Sequence, residues 1–509
     1  MIEGETHGIE SEATGAKWVH GEAVAVALRE LPSYCTRQRW YPAKDAGAPA
    51  LALDVIVPLN DCGAEAAAAL WHVSAGDREP FLALIPLAVV AAGAQSYAHQ
   101  ESIGMLSDGR RLIDATQSDS FIKRLVQLML NGSQSRSTGL SAGHTEQIAG
   151  LRAMPESRWS IKRSSVEQSN TSIRVADNSI LKVLRRIAPG IHPELEMGRF
   201  LTEVAHFRAI PALLGWVNIG DRTIAILQEF VPNEGDGWTW TRGQLQRGAV
   251  GSEAATKWLV TLGKRTAELH VALSAPSADT AFQAETVARL DWQRWSRDLS
   301  AMWDRVCDAI ENAAPNLDNE TLGLARELRK YAGVLTEWLT TLVAFPPVGH
   351  KIRHHGDYHL GQVLVSGEDA VIVDFEGEPL RPLDERRTKH MPFRDVAGML
   401  RSLQYVSATL QQELPAALSS EARSLEVNRL NKWAVDASAE FVNSYLSSLR
   451  ELSPQPVDTA AAHSIVEFFL IEKALYEVLY ELSNRPTWTS VPLRYLVSQL
   501  AQLKRRSES

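Results

Sequence analysis

Two short apolar runs, 363–365 and 371–373, flank a Ser-Gly-Glu-Asp turn at 366–369. Apolar runs of this length on either side of a Gly-containing turn read as a β-hairpin. That hairpin constrains everything near it. Asp357, in His-His-Gly-Asp-Tyr-His-Leu-Gly-Gln at 354–362, precedes the first strand, and Asp374, in Val-Asp-Phe-Glu at 373–376, follows the second. Both carboxylates are therefore expected at one edge of a small sheet.

A pair of this kind is what phosphoryl transfer needs. One carboxylate orients or deprotonates the attacking hydroxyl, and the other holds Mg²⁺ against nucleotide phosphates. Gln362 lies five residues after Asp357, the offset at which the protein-kinase catalytic loop carries its metal-binding Asn. The spacing makes Asp357 the base, Gln362 and Asp374 the Mg²⁺ ligands and His355 an internal brace of the loop, with His359 and Glu376 as further candidates. Taken singly, a Gly-Asp after a histidine is an ordinary turn and Asp-Phe-Glu is common by chance. The joint spacing around the hairpin carries the reading.

The 509 residues allow two to four domains. A formal net charge of −9, with no basic cluster before the short tail at 504–506, argues against nucleic acid as a partner. Cys35, Cys62 and Cys307 are far apart and form no CxxC, so neither a disulfide framework nor a zinc site is expected. The first residues are acidic and lack a signal-peptide core. The most apolar run, 81–94, is interrupted by Pro86 and too short to span a bilayer. A cytoplasmic protein without membrane association is expected.

Helical spacing starts near Trp18 and is expected to stop at Pro32. Apolar runs punctuated by turns then continue to about 130, giving a small α+β cap over 1–135. The Gly-, Ser- and Thr-rich stretch 131–143 reads as a linker. Residues 136–230 form a β-rich lobe, with three antiparallel strands at 159–166, 171–176 and 179–184. Lys182 lies inside the third strand and needs an anionic partner if buried. In a kinase-like lobe that partner is the nucleotide phosphates together with a helix glutamate. Glu194 and Glu196 are both within reach, and Glu196, one turn inside its helix, is favoured. Gln168, Ser169, Asn170 and Thr171 occupy the phosphate-covering loop without a glycine, so hydroxyl and amide groups would replace the usual backbone cradle. Gln228, Glu229 and Val231 lie where the chain leaves this lobe and would meet the adenine edge. Residues 231–509 then read as a mostly helical lobe, with long periodic runs.

Two patches in that lobe bear on the acceptor. Arg394 and Asp395 open a helix expected to brace the loop of Asp374. Lys473, Tyr476, Glu477, Tyr480 and Asn484 recur at three- and four-residue spacing, followed by Arg485 and Trp488. Aromatic rings interleaved with polar groups suit a sugar, whose ring face stacks while its hydroxyls need hydrogen bonds. A core stripe with capped polar ends is the alternative.

These residues resemble those of the maltokinases, aminoglycoside-phosphotransferase-like sugar kinases often fused to trehalose synthase. The likeness rests on Gln-Ser-Asn-Thr-Ser at 168–172, Ile-Leu-Lys-Val at 180–183, His-Pro-Glu-Leu-Glu at 192–196, Val-Pro-Asn-Glu-Gly-Asp-Gly-Trp at 231–238, His-Gly-Asp-Tyr-His-Leu-Gly-Gln at 355–362, Asp-Phe-Glu-Gly-Glu-Pro at 374–379, Arg-Asp-Val-Ala-Gly-Met-Leu-Arg at 394–401, and Tyr480 through Asn-Arg-Pro at 484–486 to Trp488. Arg-Trp-Tyr-Pro-Ala-Lys at 39–44 is a weaker counterpart of a cap motif whose glycine is missing. The resemblance implies an α+β, bilobal protein-kinase-like fold preceded by the cap. It also implies transfer of the γ-phosphoryl of ATP, with Mg²⁺, to the anomeric hydroxyl of maltose, and association with a separate trehalose synthase. Glucosamine is the rival acceptor, and a non-catalytic partner-binding role the rival class.

Overall fold

The computed structural model describes residues 21–42, 47–59, 65–76, 78–91, 102–163, 170–344, 348–378, 381–453 and 459–508. The chain divides into two compact units, one of residues 1–204 and 211–231, the other of residues 205–210 and 232–509.

The first unit begins with α1 (Glu22–Arg37), followed by β1 (Ala50–Pro58), β2 (Glu65–Ser74), β3 (Phe81–Leu84), β4 (Leu87–Val90), β5 (Ser102–Met105), β6 (Arg111–Asp114) and α2 (Asp119–Asn131). It continues through β7 (Leu140–His144), α3 (Ala149–Arg152), β8 (Ile161–Arg163), β9 (Thr171–Val175), β10 (Ser179–Val183), β11 (Arg186–Ile187), α4 (Pro193–Arg199), β12 (Leu213–Ile219) and β13 (Arg222–Glu229). One sheet runs β11-β3-β2-β4-β6-β5, with β1 also paired to β2. The other runs β7-β12-β13-β10-β9-β8, and the three strands expected after 159 are β8, β9 and β10.

Helix α1 buries Val26, Ala27, Leu31 and Cys35 among Trp71, Ala83 and Leu112 of the first sheet. It continues past Pro32 to Arg37, contrary to the expected stop. Burial of Leu31, Tyr34 and Cys35 outweighs the single backbone bond that proline removes. The expected linker is also ordered at its ends. Gly132, in the left-handed region, caps α2, and a bridge between Gln134 and Ser141 turns the chain straight into edge strand β7. Its small polar residues serve a turn rather than a tether.

A buried ion pair fastens β6 to the end of β10. The Arg185 guanidinium donates to Asp114 at 2.7 Å, to Thr116 at 3.0 Å and to Thr171 at 2.8 Å. Arg185 and Asp114 are both almost inaccessible to solvent. The three hydrogen bonds offset the cost of burying the guanidinium charge.

The second unit is mainly helical. It holds α5 (Gly237–Gln246), α6 (Ala249–Leu273), β14 (Glu285–Thr286), α7 (Arg289–Ala313), α8 (Asn319–Arg329), α9 (Ala332–Ala344), β15 (His350–Lys351), β16 (Val363–Ser366), β17 (Asp369–Ile372), α10 (Leu383–Arg386), α11 (Phe393–Gln412), α12 (Ser420–Leu452), α13 (Thr459–Asn484) and α14 (Ser490–Glu508). Helix α11 is central: Val396, Ala397, Met399, Leu403 and Val406 are all fully buried. The predicted hairpin is β16–β17, in register Val363↔Ile372 to Ser366↔Asp369. Arg265 of α6 holds it by paired bonds of 2.7 and 3.0 Å to Asp369. No helix among the described residues is long and apolar enough to cross a membrane.

Candidate functional site

The loop 354–360 is shaped by what α11 offers it. The Asp395 carboxylate accepts the His355 N–H at 2.7 Å and the Gly356 N–H at 3.0 Å. One helical turn on, a Cβ on Gly398 would lie 2.6 Å from the Tyr358 carbonyl oxygen, so glycine there admits the loop against the helix. One turn further, the Ser402 hydroxyl accepts the Leu360 N–H at 3.1 Å. Residues 395, 398 and 402 share one helix face, and that face is the floor of the loop. Asp395 thus braces the loop of Asp357, not that of Asp374 as expected. Substituting alanine for Gly398 is expected to cost about 1–3 kcal/mol through overpacking and to slow turnover. Urea midpoints and initial rates check this, and an unchanged midpoint with an unchanged rate would refute the close-approach account.

His355 links the two acidic loops. Its Nε2 donates to the Val373 carbonyl at 2.9 Å, leaving Nδ1 to accept the Asp357 N–H at 3.4 Å. One tautomer satisfies both contacts. Gly356, at φ +85°, stands so close to Gly377 that an added Cβ would be 3.4 Å from its Cα. Asp374 itself has φ +70°, a left-handed conformation that aspartate tolerates better than most residues. Gln362 closes a 3₁₀ turn, and its carbonyl accepts the Val373 N–H at 2.9 Å. Gln362 and Asp374 therefore both sit at the open end of the hairpin.

The Asp357 carboxylate lies between two cation-capable groups without a close bond to either. Lys473 Nζ stands 3.7 Å from Oδ1 and His359 Nε2 stands 3.8 Å from Oδ2. Lys473 is itself held by Glu378 at 2.7 Å. Burial pushes the Glu378 carboxyl up, but Lys473, Arg381 and Arg394 more than offset that and hold it at about 2. Burial likewise raises Asp395. The hydrogen bond from His270 leads the effects that reverse this and keep it well below the usual carboxylate range.

Beside this loop opens a cleft of about 900 Å³, lined among others by Trp295, Met302, Arg381, Arg394, Tyr476 and Tyr480. A narrow recess touching Gly356, Glu378 and Lys473 shares Arg381, Arg394 and Tyr476 with it. Of the residues expected to meet a sugar, Tyr476, Tyr480 and Asn484 line the cleft, and Lys473 lines the narrow recess. Glu477 does not. It turns to the buried Arg401, at 2.9 Å from Nε and 2.5 Å from Nη2, because position 477 is 100° around α13 from 476. Arg485 pairs with Glu481 at 2.7 Å and lies over the rings of Tyr480 and Trp488. Neither Arg485 nor Trp488 is among the residues lining the cleft. The Glu376 carbonyl accepts from Arg386 at 3.3 Å.

In the first unit, Lys182 on β10 meets Glu194, with 2.5 Å between Nζ and Oε1, and not Glu196 as expected. Pro193 opens α4 and places residue 194 in its first turn. Residue 196 is 200° away around the helix, so it cannot face the same strand. Asn170 Oδ1 accepts the Arg185 N–H at 3.3 Å, and the hydroxyl oxygen of the buried Thr171 accepts from the Arg185 guanidinium at 2.8 Å. Thr171 is thus turned inward, engaged by Arg185. Gln168 and Ser169 lie outside the described residues. Gln228 is buried in β13 opposite Ile180 and Leu213. Glu229 ends that strand, exposed, two residues before Val231. Two useful groups escaped the sequence reading: Glu378 in its role as anchor of Lys473, and the floor formed by residues 395, 398 and 402. The three- and four-residue spacing of the floor was the signal that could have shown it.

Residues 160–402 match the phosphotransferase enzyme family known as APH. A glucosamine kinase of Mycolicibacterium smegmatis is 30% identical over 342 residues, covering 64% of this chain and 76% of the relative. A glucosamine kinase of Streptacidiphilus jiangxiensis is 25% identical over 336 residues, covering 64% and 70%. A solved structure of a glucosamine kinase in complex with glucosamine, ADP and inorganic phosphate superposes with a TM-score of 0.63 at 20% identity, over 88% of this chain and 93% of the other. That likeness gives the fold, which is the α+β, protein-kinase-like fold expected.

Proposed function

Because this chain belongs to the APH phosphotransferase enzyme family, we propose that it is an ATP-dependent sugar kinase whose acceptor is maltose, phosphorylated at the anomeric hydroxyl. The observation that carries the kinase reading is the Asp357 carboxylate, held on a loop clamped by Asp395 and left without a close bond of its own. In this reading Asp357 accepts the proton of the attacking hydroxyl, with the Lys473 ammonium 3.7 Å from its carboxylate. Lys182, fixed by Glu194, serves the nucleotide phosphates.

Gln362 and Asp374 present hard oxygen donors at the open end of the hairpin, a donor set that suits Mg²⁺. When bound, the ion would neutralise phosphate charge. Replacing Asp374 with alanine is expected to weaken Mg²⁺–nucleotide binding by about tenfold or more, in keeping with loss of a charge-bearing ligand. Nucleotide titration with and without Mg²⁺ measures it, and unchanged affinity would contradict the assignment.

Maltose is supported by the family resemblance, the roomy cleft, and the charges beside Asp357. Of the carboxylates on that side, Glu378 and Glu472 are held by cations, Asp298 and Glu385 also line the cleft, and Lys473 stands 3.7 Å from the proposed base. An acceptor ammonium would meet an ammonium there. The kinases of M. smegmatis and S. jiangxiensis favour glucosamine as the second reading. ADP release with maltose, glucosamine, glucose and trehalose separates the two: fast turnover of glucosamine with none of maltose would reverse the order. Association with a separate trehalose synthase belongs to the maltose reading, and co-elution of the two proteins tests it.

A further inference from the structure

His359 is held by a contact that fixes where its proton sits as well as where its ring lies. It precedes the 3₁₀ turn Leu360–Gln362 and caps it, Nδ1 accepting the Gly361 N–H at 3.0 Å. A Cβ on residue 361 would lie 2.8 Å from the ring's Cε1 and 3.0 Å from Nδ1, so glycine there leaves room for the ring. A ring nitrogen that accepts a backbone N–H carries no hydrogen, and the imidazole is therefore neutral with its hydrogen on Nε2. Nε2 is the nitrogen that faces Asp357. It stands 3.8 Å from Oδ2, while Lys473 stands 3.7 Å from the other oxygen, Oδ1.

A separation of 3.8 Å is too long for a hydrogen bond and too short for an oxygen to stand in line between the two atoms. An oxygen set to one side can bond both, at about 2.9 Å from the nitrogen and about 2.7 Å from the carboxylate. The two bonds then meet at that oxygen at roughly a right angle, which one O–H and one lone pair of a hydroxyl group can satisfy. The side chains of His359 and Asp357 are 40% and 20% exposed, so an acceptor hydroxyl can reach the pair. We infer that His359 is a further catalytic residue: its Nε2–H binds the acceptor oxygen whose proton goes to Asp357. The inference rests on the reading of Asp357 as the base. The acceptor O–H gives its proton to Oδ2 and takes the Nε2–H bond on one lone pair, which leaves a single lone pair to form the bond to the γ-phosphorus. The bond from that phosphorus to the β–γ bridging oxygen breaks, its electron pair leaves with ADP, and His359 keeps its proton throughout. A donor to the nucleophile costs little where the transition state is loose. What it gains is one direction of attack in place of several.

Cap and donor sit on different nitrogens, and two substitutions separate them. His359→Asn keeps the cap, because an Asn side-chain oxygen accepts the same N–H, and it lacks the Nε2 donor. His359→Gln reaches out to the Nε2 position with an amide N–H and stands outside the preferred capping residues. With saturating nucleotide and whichever sugar wild type turns over fastest, His359→Asn should lose at least about tenfold in kcat/KM. Its unfolding midpoint should match wild type and its nucleotide affinity stay within about twofold. His359→Gln should turn over at least about threefold faster than His359→Asn, despite a lower midpoint. A purely structural role for the ring predicts the reverse order, and that order, or a wild-type rate in His359→Asn, would overturn the inference. Nitrogen-15 spectra of the wild-type imidazoles give a readout that needs no turnover. The signals missing from either variant should report a bare Nδ1 and a protonated Nε2, and the opposite tautomer would overturn the inference on its own. A wild type that turns over none of the sugars sinks the kinase reading and this inference together. A wild type that turns over at the same rate as His359→Asn sinks this inference alone.

Discussion

Replacing Asp357 with asparagine lowers kcat by at least about 10²-fold, the usual scale for lost acid–base assistance, while nucleotide affinity stays within about twofold. The expectation follows from how little the carboxylate does for the fold. Its nearest charged neighbours are 3.7 and 3.8 Å away, outside hydrogen-bond range. The loop conformation is set by backbone bonds to Asp395 and Ser402 and by the bridge from His355 to Val373. An amide at 357 therefore keeps the loop and loses the proton acceptor. Lys473 stays fixed by Glu378, so the acceptor-side electrostatics also persist. Steady-state rates, with nucleotide binding measured in parallel, check the split. A variant that turns over like wild type removes Asp357 from the proposed role, and one that also loses nucleotide affinity shows that the loop has moved.

What the sequence revealed and what it concealed divide along the range of the interactions. The hairpin was legible because strand pattern and turn are both local, and the register Val363↔Ile372 follows from a two-residue turn at 367–368. The long helices were legible from their periodicity. The partner of Lys182 was not, because choosing between Glu194 and Glu196 requires the rotation of α4 about its axis, which is set by how that helix packs. The same uncertainty misplaced Glu477: a five-residue stripe at three- and four-residue spacing spans more than one face of α13, and the buried Arg401 claims that position. Thr171 is drawn inward by Arg185, whose burial depends on Asp114, 71 residues away in sequence. No local pattern reports such a pairing. The 131–143 stretch misled for a different reason, since Gly and Ser supply tight turns as readily as tethers.

Asp395→Asn is expected to have the largest effect on stability, about 3–5 kcal/mol, the range for breaking a buried charged network by altering one member. The carboxylate accepts from two backbone N–H groups and from His270, whose Nδ1 in turn accepts from Tyr445 at 3.0 Å. An amide has a single acceptor oxygen and must aim its NH₂ at one of those donors, leaving a buried donor without a partner. The loss should carry a pH signature of definite sign. Asp395 has its folded-state pKa held below the unfolded value of about 3.9, so its stabilisation is fully present above that value. It is lost as pH falls through the depressed folded-state value. The stability gap between wild type and variant should therefore be widest from about pH 5 upward and narrow progressively in more acidic solution. Urea unfolding of both proteins across that range measures the gap, and a gap that stays constant would mean that the carboxylate titrates alike in the folded and unfolded states. Because Asp395 also sets the loop of Asp357, the variant should lose turnover even at temperatures where it remains folded. Near-normal kcat in the folded variant would separate the brace from the chemistry it is proposed to serve.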